Sequence, residues 1–175
     1  QIAEYKNVWV FCETVAGRLR SVALELVTKG RELADKLGEK LVAVIIGSDI
    51  TGHAQTLVHH GADEVLVVDA KIFADYTTDA YAIAMTSLIA SRKPAVVLYG
   101  ATSNGRDLAP RIAARLGLGL TADCTGLEID EKRQLIQTRP AFGGNIMAEI
   151  ITPSTRPQMA TVRPNVFKPK EPDTS

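Results

Sequence analysis

The sequence predicts an α/β fold: a parallel β-sheet with helices on both faces plus an antiparallel β extension in the last third. Three observations predict it. First, the apolar runs Asn7–Cys12, Leu41–Gly47, Glu64–Asp69 and Pro94–Gly100 are separated by helical patterns. Runs that are apolar on both faces and joined through helices belong to a parallel sheet covered on both sides. Second, from Thr121 onward helical spacing gives way to short runs and turns: "CTGLEID", "EKRQ", "LIQTRPAFGG", "NIMAEIIT" and "QMATVRP". Third, 175 residues with 46% apolar content are enough for one sizeable core and exclude a disordered chain.

The elements follow in order. In the strand "NVWVFC", Trp9 and Phe11 lie two apart and share one face, as core or interface packing does. Arg20–Gly38 is an amphipathic helix: Val22, Leu26, Leu33 and Leu37 recur on a helical spacing, and Gly38 suits the residue just past its end. "LVAVIIG" is the second strand, and Gly52–Gly61 a short helix closed by glycine. "EVLVVD" is the third strand; Asp69 ends it, either as a plain terminus or facing the crevice at the strands' carboxyl ends. Thr77–Lys93 is a helix with a capping threonine near its start and Asp79 at the positive end of its dipole. "PAVVLYG" is the fourth strand, and Gly105–Gly117 the fourth helix, with Pro110 expected in or near the first turn. "CTGLEID" and the run after it read as a hairpin turning around Asp130–Gln134. The tail "FKPKEPDTS" holds prolines and mixed charges without apolar periodicity, and reads as a linker toward a further domain.

Twenty basic residues balance twenty acidic ones, which gives no electrostatic reason to expect nucleic acid or a membrane surface as partner. Cys12 and Cys124 sit in apolar runs without a CxxC and read as buried reduced thiols. No apolar run approaches the roughly 20 residues needed to span a bilayer. The opening "QIAEYKN" is charged, lacks the apolar core of a signal peptide, and lacks an initiator Met, so a processed or excised chain is expected.

Two turns draw attention. "YGATSNGRD" joins the fourth strand to the fourth helix, where open parallel sheets bind ligands against helix N-termini. Gly100 and Gly105 permit close backbone approach, and Thr102, Ser103, Asn104 and Arg106 offer polar groups. The spacing Gly100-xxxx-Gly105 invites comparison with a P-loop, but Arg106 and Asp107 stand where that loop needs Lys and Ser or Thr. A carboxylate there repels phosphate, so NTP hydrolysis is disfavoured; a plain strand-to-helix turn is the competing reading. The second turn is "TRPAFGGN". Arg139, held extended before Pro140, stands with Phe142, Gly143, Gly144 and Asn145. A guanidinium, an aromatic ring and an amide suit a flat, hydrogen-bonding ligand such as a flavin edge; a tight turn with an ordinary ion pair fits equally. His53, His59 and His60 lie on or near the short helix without a ligand set for a metal and read as exposed imidazoles. No persuasive nucleophile–base arrangement or other catalytic acid/base set can be assembled.

Together, "YKNVWVFCE", "GADEVLVVD", "YGATSNGRDLAPRIAARLGLGLTADCTGLEID", "TRPAFGGNIMAEI" and "RPQMATVRPNVF" resemble the N-terminal domain of the electron-transfer flavoprotein alpha subunit, the FixB-like family. The resemblance covers nearly all of Tyr5–Phe167. It implies a fold related to adenine-nucleotide-binding α/β domains, a heterodimer with a beta subunit of similar fold, and an FAD held mainly by that subunit and by a second, glycine- and serine-rich alpha domain. The implied organisation is an N-terminal domain over 1–167 and a linker over 168–175 toward that second domain, which this sequence does not contain. It also implies an electron carrier that walls the beta flavin, taking electrons from NADH or from an acyl-CoA or related dehydrogenase. Arg139 with Phe142–Asn145 would lie near that flavin, and Thr102, Ser103, Asn104 and Arg106 at the alpha crevice. "YKNVWVFCE" looks like the bifurcating type of anaerobes, in some of which a ferredoxin-like domain precedes. The implied location is the bacterial cytoplasm, or the mitochondrial matrix in a eukaryote. The residues leave rivals open: a stand-alone universal-stress-like module binding ATP or AMP at Gly100–Arg106, and a purely structural interaction domain. An ATP-pyrophosphatase is a weaker rival, because "CETVAGRLR" lacks its phosphate-gripping glycines and serines.

Overall fold

The computed structural model describes residues 2–141, 143 and 146–175. In chain order the elements are β1 (Val8–Phe11), β2 (Thr14–Val15), β3 (Arg18–Leu19), α1 (Ser21–Leu37), β4 (Leu41–Gly47), α2 (His53–His59), β5 (Glu64–Asp69), α3 (Thr78–Arg92), β6 (Val96–Gly100), α4 (Ser103–Leu116), β7 (Leu120–Cys124), β8 (Gly126–Ile129), β9 (Leu135–Pro140), β10 (Met147–Ile150) and β11 (Gln158–Val162). Six strands form one sheet in the order β5-β4-β1-β6-β11-β7, and every neighbouring pair is parallel. The chain runs outward from β1 through β4 to β5, then crosses back to β6 on the other side of β1. The direction of winding therefore switches between β1 and β6, the place where such sheets open a crevice at their carboxyl ends.

Alternation along β1 divides the core in two. Val8 and Val10 pack with Ala23, Leu26 and Leu33 of α1. Trp9 and Phe11 pack with Tyr81 and Met85 of α3 and Leu108 and Ile112 of α4. Each fully buried Leu- or Ile-sized side chain contributes about 1.5–3 kcal/mol relative to exposure, so both helical layers are held by burial rather than by helix propensity. Gly38 ends α1 as the spacing predicts, with φ 67° in the left-handed region that costs glycine nothing. Cys12 and Cys124 are free and buried, as expected, and burial pushes the Cys124 thiol up to about 11.

The antiparallel extension is a separate three-stranded sheet, β10-β9-β8, whose β8–β9 hairpin turns at Asp130–Gln134. Leu127, Ile129 and Leu135 of that hairpin join the α1 side of the core. One run grouped with the extension departs from it: Gln158–Val162 is β11, which returns to the parallel sheet between β6 and β7 and is buried throughout. Its polar side chains are consumed internally. Gln158 Oε1 accepts from the Leu135 N–H at 3.1 Å, and Thr161 Oγ1 from the Asp123 N–H at 2.8 Å.

Two local expectations are corrected, and one element was not foreseen. Helix α4 starts at Ser103, so Pro110 is its eighth residue rather than part of the first turn. It is tolerated because Arg106, whose carbonyl loses a partner, is exposed to water. The helix that was expected to be capped by a threonine side chain begins after Thr77, which makes no side-chain cap bond; Thr78 instead donates to Asp107. The β2–β3 hairpin had no expectation, because two-residue strands carry no readable period. The tail after Phe167 has neither helix nor strand and stays exposed; the Asp173 N–H donates to the His59 carbonyl at 2.8 Å.

Candidate functional site

The carboxyl edge of the parallel sheet has an acidic part and a basic part. The acidic part lies at the switch point. Glu13 follows β1 and is 5% exposed. Its Oε1 accepts from the Thr102 hydroxyl, and its Oε2 lies 3.4 Å from Arg20 Nη1 without a hydrogen bond. Thr102 is the residue before α4, and its Oγ1 also accepts from the Gly105 N–H at 3.1 Å, so this hydroxyl is engaged on both sides. Asp107, one turn into α4, accepts from Tyr76 Oη at 2.7 Å and from Thr78 Oγ1. Those hydrogen bonds, Thr78's first, hold its carboxyl below the usual carboxylate range. Burial, then the hydrogen bond to Asp107, pushes the Tyr76 phenol up, with a smaller push from the charges of Asp107 and Glu13.

The glycines expected to admit a ligand are used for packing. A Cβ on Gly105 would stand 1.8 Å from the Gly100 carbonyl oxygen, so glycine is what lets α4 rest on the end of β6. A Cβ on Gly100 would meet Val22 at 3.0 Å. Ser103 is exposed and Asn104 half-buried at the start of the helix.

The basic part lies over β7 and β11. Arg163, just after β11, donates from Nη2 to Asp123 Oδ2 at 2.9 Å. Arg106 of α4 brings its Nη2 to 3.8 Å from Asp123 Oδ1. Arg139, on β9 opposite Ala148 of β10, is exposed and makes no salt bridge or hydrogen bond among the described residues. It acts on Asp123 through its charge. The Arg163 hydrogen bond, then the charges of Arg163, Arg106 and Arg139, lower the Asp123 carboxyl against the effect of burial. The structure thus sets Arg106, from one of the two turns, and Arg163 against one carboxylate, while Arg139, from the other turn, reaches it only through its charge. Phe142, Gly144 and Asn145 lie outside the described residues; Gly143 takes φ 96°, and a Cβ there would meet open space.

Glu13, Arg20, Asp123 and Arg163 were not singled out in the sequence. Arg163 carried one signal: it precedes Pro164 as Arg139 precedes Pro140. Asp69 serves locally, accepting from the N–H groups of Asp49 and Ile50 at 2.9 Å each, which hold its carboxyl low. Cavities of about 640 and 520 Å³ open at the opposite, amino ends of the strands, beside Asn7, Lys40 and Asp63 and beside Tyr5, Ala95 and Gln158. Neither meets the carboxyl edge. No helix of the described residues is long and apolar enough to cross a membrane.

The sequence profile described as "Electron transfer flavoprotein domain" matches residues 8–175. The chain belongs to the electron transfer flavoprotein family. It is similar to Protein FixB of Clostridium saccharobutylicum, with 56% identity over 168 residues, 95% of this chain and 50% of the relative. It is 54% identical over 165 residues to the electron transfer flavoprotein subunit alpha of Thermoanaerobacterium thermosaccharolyticum, covering 94% of this chain and 50% of that protein. It is also 45% identical over 167 residues to the lactate dehydrogenase (NAD(+),ferredoxin) subunit LctC of Acetobacterium woodii, covering 95% of this chain and 40% of the relative. The chain spans about half the length of the curated relatives it matches first. Within this electron transfer flavoprotein domain, the basic carboxyl edge carries an exposed guanidinium, Arg139, with no ion pair among the described residues.

Proposed function

We propose that this domain is the N-terminal part of an alpha-type electron-transfer flavoprotein subunit and walls a flavin gripped mainly by a beta subunit. The carrying observation is the basic edge: Arg106 and Arg163 pair with Asp123, and Arg139, whose charge also reaches that carboxyl, is left exposed. The donor set fits such a group. Guanidinium N–H groups donate and never accept, so they suit the electron-rich edge of a reduced flavin. When bound, the flavin, as FAD, would accept and release the electrons; this chain supplies orientation and electrostatics. A fixed cation beside the ring favours its reduced, anionic form and raises its potential. Phe142, Gly143, Gly144 and Asn145 belong to the same wall in this reading, and Thr102, Ser103, Asn104 and Arg106 to the adjoining crevice. Residues 168–175 then lead toward a second, FAD-holding domain.

The edge beside Arg139 supports a partner. β10 is paired on one side only, and Ile146, Met147 and Ile151 on and around it are about half exposed or more. The name of LctC, which joins NAD(+) and ferredoxin to lactate oxidation, supports NADH or a dehydrogenase as the electron source. The acidic switch point disfavours the stand-alone ATP or AMP module, because Glu13 and Asp107 stand where phosphates would sit.

The chain alone is expected to be colourless, and its assembly with a beta subunit yellow. In the full-length subunit assembled with its beta partner, Arg139→Ala is expected to keep the fold and lower the flavin midpoint potential. An unchanged redox titration overturns the reading.

A further inference from the structure

We propose that Asp123 is a positioning residue that fixes the geometry and the net charge of the arginine group around Arg139; the inference rests on the reading of that edge as a flavin wall. The observation behind it is an irregularity in the sheet. β11 and β7 pair Ala160 with Thr121 but Val162 with Cys124, so two steps on β11 face three on β7. The extra residue is a bulge, which turns a side chain to a new direction and interrupts the ladder. Burial confirms the turn: Thr121 and Cys124 are both buried although three apart, whereas a regular strand would put Thr121 and Asp123 on one face. Asp123 is thereby swung off the core face to the rim.

Its backbone is the strained point. Asp123 has φ 60°, in the left-handed region that aspartate visits more readily than bulkier residues. Its N–H has left the ladder and donates to the Thr161 hydroxyl at 2.8 Å. That hydroxyl belongs to β11, so the neighbouring strand is built to receive the bulge. Strain of this kind persists only where its surroundings hold it, and it clusters at sites with a task.

The bulge sets one carboxylate among guanidiniums from separate elements. Oδ2 holds Arg163 at the end of β11, and Oδ1 faces Arg106 of α4 at 3.8 Å with no hydrogen bond of its own. Arg139 of β9 feels the same carboxylate at longer range. Asp123 therefore ties down the two flanking arginines and cancels part of their charge. What remains for a neighbouring ligand is a reduced, fixed positive field centred on Arg139.

The test is a redox titration of the flavin in the full-length subunit assembled with its beta partner. Asp123→Asn keeps the shape and the left-handed backbone and removes the charge. Asp123→Gly removes the charge and relieves the backbone. Both are expected to raise the midpoint potential, since the arginines lose their counter-charge, and Arg163→Gln to lower it. If both Asp123 variants leave the potential unchanged or lower it while Arg139→Ala lowers it, the flavin-wall reading stands and this inference is overturned. If Arg139→Ala is also without effect, the wall itself is refuted and the inference falls with it. Failure of both Asp123 variants to assemble assigns Asp123 to folding alone and likewise overturns it.

Discussion

At the switch point between β1 and β6, the carboxylates of Glu13 and Asp107 accept from Thr102, Tyr76 and Thr78. A short distance along the same edge, over β7 and β11, the carboxylate of Asp123 faces Arg163 and Arg106 and feels the charge of Arg139. Both regions occupy the place where this sheet architecture presents ligands. The first has paired its polar groups with one another, Glu13 Oε2 excepted, and filled its backbone gaps with neighbouring atoms. The second keeps surplus charge turned outward beside an exposed apolar strand. The contrast teaches that the crevice predicted by topology and the surface used for function need not coincide. Inside one carboxyl edge, packing claims one part and leaves the other for something beyond the chain.

The sharpest way to break this comparison is at Gly105. A methyl group there would sit 1.8 Å from the Gly100 carbonyl oxygen, so α4 must lift off β6. Gly105→Ala is expected to cost about 3 kcal/mol or more in urea denaturation, at the upper end of overpacking effects because the obstacle is backbone. A loss below about 1 kcal/mol would mean that the switch point is loosely packed and open to a ligand after all.

Thr102→Val probes the polar half of the same closure. It removes the acceptor for the Gly105 N–H and the donor to nearly buried Glu13. Loss of a helix cap costs about 1 kcal/mol. An orphaned buried acceptor adds about 1–3 kcal/mol. A total of about 2–4 kcal/mol is expected from chemical denaturation, with Thr102→Ser recovering most of it. A near-neutral Thr102→Val would free that hydroxyl for a ligand role.

The sequence exposed these regions unevenly, for physical reasons. β1, β4 and β6 were legible because their apolar runs admit no other use than a covered parallel sheet. β11 was hidden by Gln158 and Thr161, polar residues that serve a turn and a bulge visible only once the strands are paired. Pro110 was misplaced because the helix starts earlier than the glycine that seemed to open it. At the site, Arg106 and Arg139 stood out beside glycines and a proline. Asp123 and Arg163 did not, since their meaning comes from a contact across 40 positions of sequence. Glu13, one position past the first apolar run, carried no signal in the sequence and is the nearly buried carboxylate of the switch point.

The basic part should respond in the opposite way to the acidic one: little in stability, more in the cofactor. Arg139 is exposed and pairs with no described residue, so Arg139→Ala is expected to change the unfolding free energy by no more than about 0.5 kcal/mol. The flavin potential of the assembled subunit is expected to fall all the same. A stability loss above about 1 kcal/mol would make Arg139 a fold residue and blur the distinction between the two regions.

The smallest effect expected is in the acid limb. The Asp123 carboxyl is held below its ordinary value, chiefly by the Arg163 hydrogen bond. A depressed folded-state value means that the ionised carboxylate stabilises the fold. That contribution is fully present above the unfolded value of about 3.9 and is lost as pH falls through the lower folded value. Asp123→Asn lacks it at every pH. The stability gap between wild type and Asp123→Asn should therefore be constant from neutral pH down to about 4, then narrow toward zero with further acidification. Denaturation midpoints measured across that range check it. A gap that persists at the acid end would mean that the carboxylate's charge is not what stabilises the fold, since it would outlast that charge. The basic edge would then be an accident of packing, like the glycines of the switch point, and not a field held ready for a partner.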